Sequence, residues 1–184
     1  MDEFYMNEAQ KEAEKSHCSR TKVGAVIVKD GAIVAQGYNN VTGGVKSCDK
    51  IGCIRDELHI PHGERREICR AICAEQLAIS EAARNGISLD GGSAYVTTHP
   101  CFICAKMLAS AGIREIVYLN DYPDDFSKNF LKEAGIETRK IWVWKNITRK
   151  SSFFWIKKRW YIRRSLQIEQ LYMFVKHLLT NVMR

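Results

Sequence analysis

The sequence predicts one α/β domain with a mixed, five-stranded sheet, followed by a basic extension. Five short runs rich in β-branched and aromatic residues are bounded by turn residues. The first two runs are joined by a tight turn, and the later runs alternate with helical patterns. A hairpin followed by βαβ crossovers gives a mixed sheet with helices packed on it.

The first third of the chain is predicted as a helix, a hairpin and a long loop. Residues 4–15 are polar with apolar insertions, which favours a surface helix. Strands are predicted at 23–28 and 32–37 because the Asp30-Gly31 pair between them is a strong hairpin turn. Residues 39–64 are rich in Gly, Asn, Lys and His, so we expect a long functional loop there.

The rest of the domain alternates helices and strands. Apolar spacing predicts a helix over 65–85, and Asn85-Gly86 supplies its stop. The remaining predicted elements are a strand at 93–97, a helix at 101–111, a strand at 115–119, a helix at 126–134 and a strand at 136–141. Gly112 and Gly135 follow two of these helices directly, as expected for a helix C-terminus.

Charge and residue types divide the chain near residue 140. Residues 141–184 contain ten Lys and Arg and one acidic residue, a net charge of +9, and all four tryptophans. The 18 basic and 20 acidic residues of 1–140 nearly cancel, and this part holds all seven cysteines. We therefore predict a domain at 1–140 and a basic aromatic extension at 141–184.

Composition excludes several classes of protein. Hydrophobic residues make up 46% of the 184 residues and charged residues 27%, which is typical of a globular protein rather than a disordered one. The sequence has no uninterrupted apolar run of about 18 residues, the length that would predict a membrane-spanning helix. The first 20 residues include five acids and no apolar signal core, so we expect a cytoplasmic protein.

The cysteines indicate a metal site. Their number is odd and no export signal is predicted, which argues against a disulfide framework. Cys101 and Cys104 form a C-x-x-C motif, for which a redox pair is the alternative interpretation. Cys73 and Cys101 each lie where a helix is predicted to begin, and helix N-termini favour thiolates. If the two helix starts face each other, three thiolates hold one Zn²⁺ and leave a position open for water.

Glu75 lies two residues beyond the first of these cysteines. It cannot easily bind the same ion, but it is well placed to move a proton from a metal-bound water. The alternative interpretation is an exposed carboxylate in the first turn of a helix.

At these residues the sequence resembles the zinc-dependent cytidine deaminase superfamily, and in particular its deoxycytidylate (dCMP) deaminase branch. The superfamily pattern pairs a short ligand-x-Glu motif with Pro-Cys-x-x-Cys. The resemblance covers about residues 2–140 and includes the segments at 2–6, 18–28, 37–39, 48–53, 73–76, 100–106, 111–113 and 117–118. It implies a three-layer α/β/α cytidine-deaminase-like fold and a homo-oligomer, commonly a hexamer.

The resemblance also implies the reaction, hydrolytic deamination of dCMP to dUMP, which supplies pyrimidine synthesis. Cys73, Cys101 and Cys104 would hold the catalytic Zn²⁺, and zinc hydroxide would attack C4 of cytosine. Glu75 would pass the water proton to N3 and to the departing ammonia. The backbone N–H of Ala74 is expected to hold the base.

Three further residues are expected at the substrate. By motif position, Asn39 would contact the sugar, and Arg20 and Tyr118 would face the 5′-phosphate. Arg20 also has a physical rationale, because a guanidinium fork suits a phosphate dianion; a surface arginine is the alternative. Tyr118 could instead belong to the core, and Tyr122 is the alternative for its role.

The chain departs from the dCMP branch at the first zinc ligand, which is usually His but here is Cys73. A third thiolate gives the zinc site a formal charge of −1 instead of 0, which should raise the pKa of bound water. Hydrogen-bond donors to the thiolates would offset that effect. Cytidine deaminases with this Cys have an Arg after the Glu, but here Gln76 follows, so Arg70 or Arg66 would have to serve.

Four cysteines remain outside the catalytic set: Cys18, Cys48, Cys53 and Cys69. Four thiols equal one closed Cys₄ zinc site, and many dCMP deaminases have a second, structural metal near this loop. His59 and His62 are substitutes for one ligand. The alternative is that Cys18 and Cys69 are buried small hydrophobes.

The extension at 141–184 lies outside the resemblance. Basic and aromatic residues alternate over 149–164, and an apolar helical face follows. Subunit packing, an anionic membrane surface and nucleic acid are the three partners that this pattern allows. One alternative to a dCMP deaminase is a nucleic-acid base deaminase that uses the extension as its docking element. The other is a non-catalytic zinc-binding scaffold, which Cys73 and the missing Arg after Glu75 suggest.

Overall fold

The computed structural model describes residues 1–142, and residues 143–184 lie outside the described part. Its helices are α1 (Asp2–Glu14), α2 (Cys48–Ile51), α3 (Ile54–Glu57), α4 (Ala74–Arg84), α5 (Phe102–Ser110) and α6 (Asp125–Glu133). Its strands are β1 (Gly24–Lys29), β2 (Ala32–Tyr38), β3 (Ser93–Thr98), β4 (Glu115–Asn120) and β5 (Glu137–Lys140). A 3-10 turn occupies Arg66–Ile68.

The five strands form one mixed sheet in the order β2-β1-β3-β4-β5. β1 pairs antiparallel with both β2 and β3, while β3-β4 and β4-β5 are parallel pairs. The predicted hairpin and the two parallel crossovers are therefore confirmed. The division of the chain near residue 140 remains a prediction, because the extension falls almost wholly outside the described residues.

Alternating side chains of β1 separate two apolar layers. Ala25 and Ile27 face a cluster that includes α4, α5 and α6, while Val26 and Val28 face α1. This alternation is the expected consequence of the two-residue period of a strand. The sheet is thus covered by helices on both sides, which confirms the three-layer α/β/α fold.

The helix predicted over 65–85 is shorter than expected and begins only at Ala74. Before it, Ile72 N–H donates to the carbonyl of Asn40 at 2.9 Å, so this segment is extended and bridges to the end of the hairpin. Ile68 and Ile72 match a helical spacing, but a tertiary hydrogen bond overrides it. The predicted long loop also contains two single-turn helices, α2 and α3.

Close packing positions the start of α4 on the sheet. A side chain at Gly37 of β2 would place its Cβ 2.4 Å from the carbonyl oxygen of Ala74, so a glycine is required there. The α4 N-terminus consequently lies directly against the sheet. Among residues 1–142, no helix is both long enough and apolar enough to cross a membrane.

Candidate metal centre

Three cysteine sulfurs meet where two helices begin. Cys73 is the N-cap of α4 and Cys101 the N-cap of α5, while Cys104 lies in the first turn of α5. The sulfurs lie within 4.8 Å of one another, and all three residues are buried. Within the described residues, these three cysteines are the one set of His, Cys, Asp or Glu side chains that lie close enough together to bind a single metal ion. The structure thus brings together the three ligands predicted from the sequence.

The geometry and the chemistry of the three thiols fit zinc. Zn–S bonds of about 2.3 Å in a tetrahedral site place the sulfurs just under 4 Å apart. Hydrogen bonds from the thiols of Cys104 and Cys73 lower the pKa of Cys101, and the same contact with Cys101 raises the pKa of Cys73. Cys101 is therefore the thiolate of the group, and the thiols of Cys73 and Cys104 donate to it. A buried charge of this kind is normally paired or bound to a metal.

Glu75 occupies the first turn of α4 next to this cluster. Its side chain is 4% exposed, and it lines the same cavity as Cys73 and Cys101. Burial, followed by the charge of Cys101, raises the pKa of this carboxyl to about 7. A carboxyl that titrates near neutrality can both accept and return a proton. The exposed-carboxylate alternative is therefore wrong.

Arg66 and Tyr122 complete the wall around the thiols. The Nη2 atom of Arg66 donates to the sulfur of Cys73 at 2.8 Å. The same guanidinium lies 5.7 Å from the ring centroid of Tyr122, and that ring packs on the three cysteines. Of the two arginines proposed from the sequence to assist Cys73, the structure thus places Arg66 against it, whereas Arg70 is exposed.

Further positively charged side chains line the same cavity. Arg20 donates to the carbonyl of Ile60 at 2.9 Å and pairs with Asp56 at 3.2 Å. Arg55 is only 4% exposed and lines the cavity beside Arg20 and His62. Burial, and then the charges of Arg20, Arg55 and Arg66, lower the pKa of His62. Arg20 is partly exposed and lines the cavity, and its role at the phosphate stays a prediction.

Several polar atoms of this cavity are buried without a hydrogen-bond partner among the described residues. They are Nη1 of Arg20, Nε of Arg55, Nε of Arg66 and Oη of Tyr122. Buried polar groups are normally paired, so four donors left open in one cavity indicate an anionic or hydroxyl-bearing ligand. The sequence analysis missed Arg55, because nothing but its place in a loop with two cysteines and His62 distinguished it.

The other predicted substrate residues differ in whether they line the cavity. Asn39 lines the cavity, but its Oδ1 accepts from Val23 N–H and its Nδ2 donates to Thr21 O, both at 2.8 Å. Ala74 also lines the cavity, at the first helical position of α4, where the backbone N–H has no partner within the helix.

Tyr118 is the one predicted substrate residue that lies away from the cavity. It packs on the core and against the edge of the His99 ring, with the centroids 4.8 Å apart. Tyr122, its alternative, lines the cavity instead. The expectation for Tyr118 is corrected accordingly: it is a strand residue whose side chain faces the apolar layer.

The four remaining thiols line another part of the same cavity. Burial, and then the charges of Cys53, Cys69 and Cys18, raise the pKa of Cys48. Cys53, Cys69 and Cys18 therefore lie close enough to Cys48 to affect its pKa, although within the described residues the four thiols do not form a group of three within 4.8 Å. Of the proposed histidine substitutes, His62 lies 3.3 Å from the Thr21 hydroxyl and packs against Tyr122.

Comparisons with known proteins agree with the resemblance found in the sequence. Residues 1–120 match the family model described as the cytidine and deoxycytidylate deaminase zinc-binding region. The deoxycytidylate deaminase of Schizosaccharomyces pombe is 31% identical over 140 residues, covering 76% of this chain and 43% of that protein. The chain thus spans less than half of that relative. The deoxycytidylate deaminase of Enterobacteria phage T4 is 36% identical over 164 residues, covering 70% of this chain and 83% of that protein.

A solved structure agrees in fold. The crystal structure of dCMP deaminase from the cyanophage S-TIM5, in complex with dCMP and dUMP, has a TM-score of 0.62 and 31% sequence identity. The match covers 76% of this chain and 95% of that one.

Proposed function

Since the chain belongs to the cytidine and deoxycytidylate deaminase family, we propose that it converts dCMP to dUMP by hydrolytic deamination at C4 of cytosine. The observation that supports this most directly is a single cavity lined by two chemically different groups of side chains. Glu75 lines it together with three clustered thiols, and Arg20, Arg55 and His62 line it together with open hydrogen-bond donors. A cytosine base and a 5′-phosphate require that combination.

The residues of the chain then have distinct roles. Cys73, Cys101 and Cys104 would hold Zn²⁺, which when bound supplies an activated water. Glu75 would accept one proton from that water and deliver it to N3 of cytosine, and it would then carry the proton of the new C4 hydroxyl to the amino group, which leaves as ammonia. The free N–H of Ala74 donates to the base. The raised pKa of the Glu75 carboxyl suits both directions of proton transfer.

Arg20 and Arg55 are proposed to bind the 5′-phosphate, with Tyr122 in the position first assigned to Tyr118. Their open donors converge on one cavity, and charge-assisted bonds to phosphate are the strongest that such groups form. Asn39 holds the Thr21–Val23 segment that follows Arg20, and its second amide hydrogen is available for the sugar.

We predict that turnover requires the phosphate. Purified protein should deaminate dCMP far faster than deoxycytidine, and Arg20→Ala should lower kcat/KM for dCMP by about 10- to 100-fold, as expected for one to two charge-assisted hydrogen bonds. Deoxycytidine turnover should barely change, since it lacks the dianion. The assay follows the uracil product with dCMP, dCTP, CMP, deoxycytidine and single-stranded DNA as substrates.

Arg114→Ala is the matched control, because Arg114 is exposed and does not line the cavity. Equal turnover of dCMP and deoxycytidine would contradict the nucleotide assignment. Turnover of single-stranded DNA alone would favour a nucleic-acid base deaminase, and no turnover of any substrate would favour a zinc-binding scaffold.

We also propose a second, structural Zn²⁺ on Cys18, Cys48, Cys53 and Cys69. All four thiols line one cavity, and Cys53, Cys69 and Cys18 lie close enough to Cys48 to raise the pKa of its thiol, which supports the proposal. Wild-type protein should then contain about two zinc ions per chain, and Cys48→Ser about one. Metal analysis of purified protein checks this, and one zinc ion in the wild type would exclude the second site.

The extension is proposed to contribute to association and not to chemistry, because every proposed site residue precedes residue 123. Ile141 N–H donates to the Tyr118 carbonyl of β4 at 2.9 Å. A truncation that ends after Trp142 keeps this hydrogen bond and should therefore leave β5 and β4 intact. This truncated chain should keep its dCMP turnover. It should lose the salt-sensitive binding to single-stranded DNA or anionic vesicles that a charge of +9 favours. A folded but inactive truncation would place residues beyond 142 in the site.

A further inference from the structure

We propose that the start of α6 positions the metal ligand Cys101, with Asp124 and Ser127 as positioning residues that act through the backbone on either side of it. The inference rests on the proposed zinc site and deepens it, because it names the side chains that hold one of the three sulfurs in place. Asp124 and Ser127 are called the α6 clamp below.

Two hydrogen bonds from the α6 clamp bracket Cys101. The buried Oγ of Ser127 donates to the carbonyl of Pro100 at 2.7 Å. The backbone N–H of Phe102 donates to Oδ2 of Asp124 at 2.8 Å. The carbonyl belongs to the planar peptide group before Cys101, and the N–H belongs to the one after it. Both backbone dihedral angles of Cys101 are therefore constrained, and with them the direction in which its side chain leaves the backbone.

Asp124 serves two helices with one carboxylate. Its Oδ1 accepts the Ser127 N–H at 3.0 Å, as the N-cap of α6, while its Oδ2 accepts the first N–H of α5. Cys101 is the N-cap of α5, but its side chain makes no capping hydrogen bond to that helix. An N-cap side chain normally accepts a hydrogen bond from its own helix, so a cysteine in this position leaves the start of α5 dependent on another acceptor. A carboxylate is favourable there because it also meets the positive end of the helix dipole.

The first ligand, Cys73, is held by a different device. Its backbone N–H donates at 2.8 Å to Oε1 of Gln76, the third residue of α4, so this helix supports its own ligand. In α5 the equivalent third residue is Cys104, which is itself one of the clustered thiols. A Cys-x-x-Cys motif therefore has no side chain free for this local contact, which explains why the backbone at Cys101 is held from α6.

The test is Asp124→Ser in the full-length chain, read as Co²⁺ binding. Serine is a good N-cap, so α6 keeps its own cap, but its shorter side chain has a single oxygen and loses the contact with Phe102. Co²⁺ affinity, measured by competition with a chelator, should fall by about tenfold, the lower end of the usual loss on removing a group that supports a metal ligand. The visible bands of thiolate-bound Co²⁺ should also shift, because they depend on ligand geometry. Subtracting the Cys101→Ala spectrum removes the contribution of any other Co²⁺ site.

Two further substitutions separate positioning from stability. Asp124→Ala also loses the cap of α6, so it should match Asp124→Ser in Co²⁺ affinity but melt about 2 to 4 °C lower without metal. Asp125→Ser is the matched control and should change neither quantity, because Asp125 is exposed and its carboxylate pairs with Lys128 of the same helix at 3.2 Å.

Ser127→Ala tests the other side of the α6 clamp. It should weaken Co²⁺ binding less than Asp124→Ser, because Nδ1 of His99 lies 3.0 Å from the Pro100 carbonyl and still donates to it. Unchanged Co²⁺ affinity and bands in both Asp124→Ser and Ser127→Ala would overturn the proposal. A loss of affinity in Asp124→Ala alone would also overturn it, since Asp124 would then act only by stabilising α6. Because dCMP turnover is not the readout, failure of the substrate assignment is detected separately.

Discussion

Glu75→Gln is expected to lower dCMP turnover by about 10² to 10⁴-fold while leaving zinc content and melting temperature close to those of the wild type. General acid–base catalysis typically contributes a factor of that size. The amide has the same shape as the carboxyl and fits the same buried position, but it cannot accept the water proton. Turnover, zinc analysis and thermal melting of the same preparation measure the three quantities together.

Glu81→Gln is a suitable control for this change. Glu81 lies on the same helix, and its Oε2 accepts the backbone N–H of Gln36 at 2.9 Å, a contact that the glutamine oxygen can keep. It does not line the cavity, so the Glu81→Gln protein should retain turnover. If Glu75→Gln stayed within tenfold of the wild type, the proton would have to be transferred by another group. His99, which lines the cavity and is 3% exposed, is then the next residue to examine.

The sequence predicted the parts of the site that depend on local structure. Cys73 and Cys101 are N-caps, and Glu75 and Cys104 lie within the first turns that follow. Helix N-termini are recognisable in a sequence, and the βαβ topology brings two of them together at one end of a sheet. For that reason the thiols and the carboxylate could be predicted from the sequence.

The remaining parts of the site depend on tertiary structure. Arg55 lies on the four-residue helix α3 and Arg66 on a 3-10 turn. The segments around them have no periodic pattern, and only the folded loop directs the two side chains inward. The Tyr118 prediction failed because strand pairing sets its face. Adjacent Val117 packs toward α1, so Tyr118 points to the opposite layer. Tyr122, just after the strand, is free of that alternation.

Cys101→Ala is expected to remove the catalytic zinc and to abolish turnover. Among the described residues, three protein ligands meet at this position. An open zinc site with two thiolates retains neither its usual ligand number nor its geometry. The loss of zinc affinity should therefore exceed the 10- to 100-fold reduction that is typical when a hydrogen-bond partner of a metal ligand is removed. Metal content per chain and dCMP turnover report it directly.

The thermal stability of the protein gives an independent measurement of the loss of zinc. A metal that binds only the folded chain stabilises it by about 4 kcal/mol when its free concentration is 1,000 times its Kd. Wild-type protein should accordingly melt at a higher temperature with zinc than with a chelator, and Cys101→Ala should show a smaller difference. Cys48→Ser is the reciprocal control, since it should lose the second zinc and keep the catalytic one. A Cys101→Ala protein with unchanged zinc content would show that the three buried thiols at the starts of α4 and α5 are not the metal site.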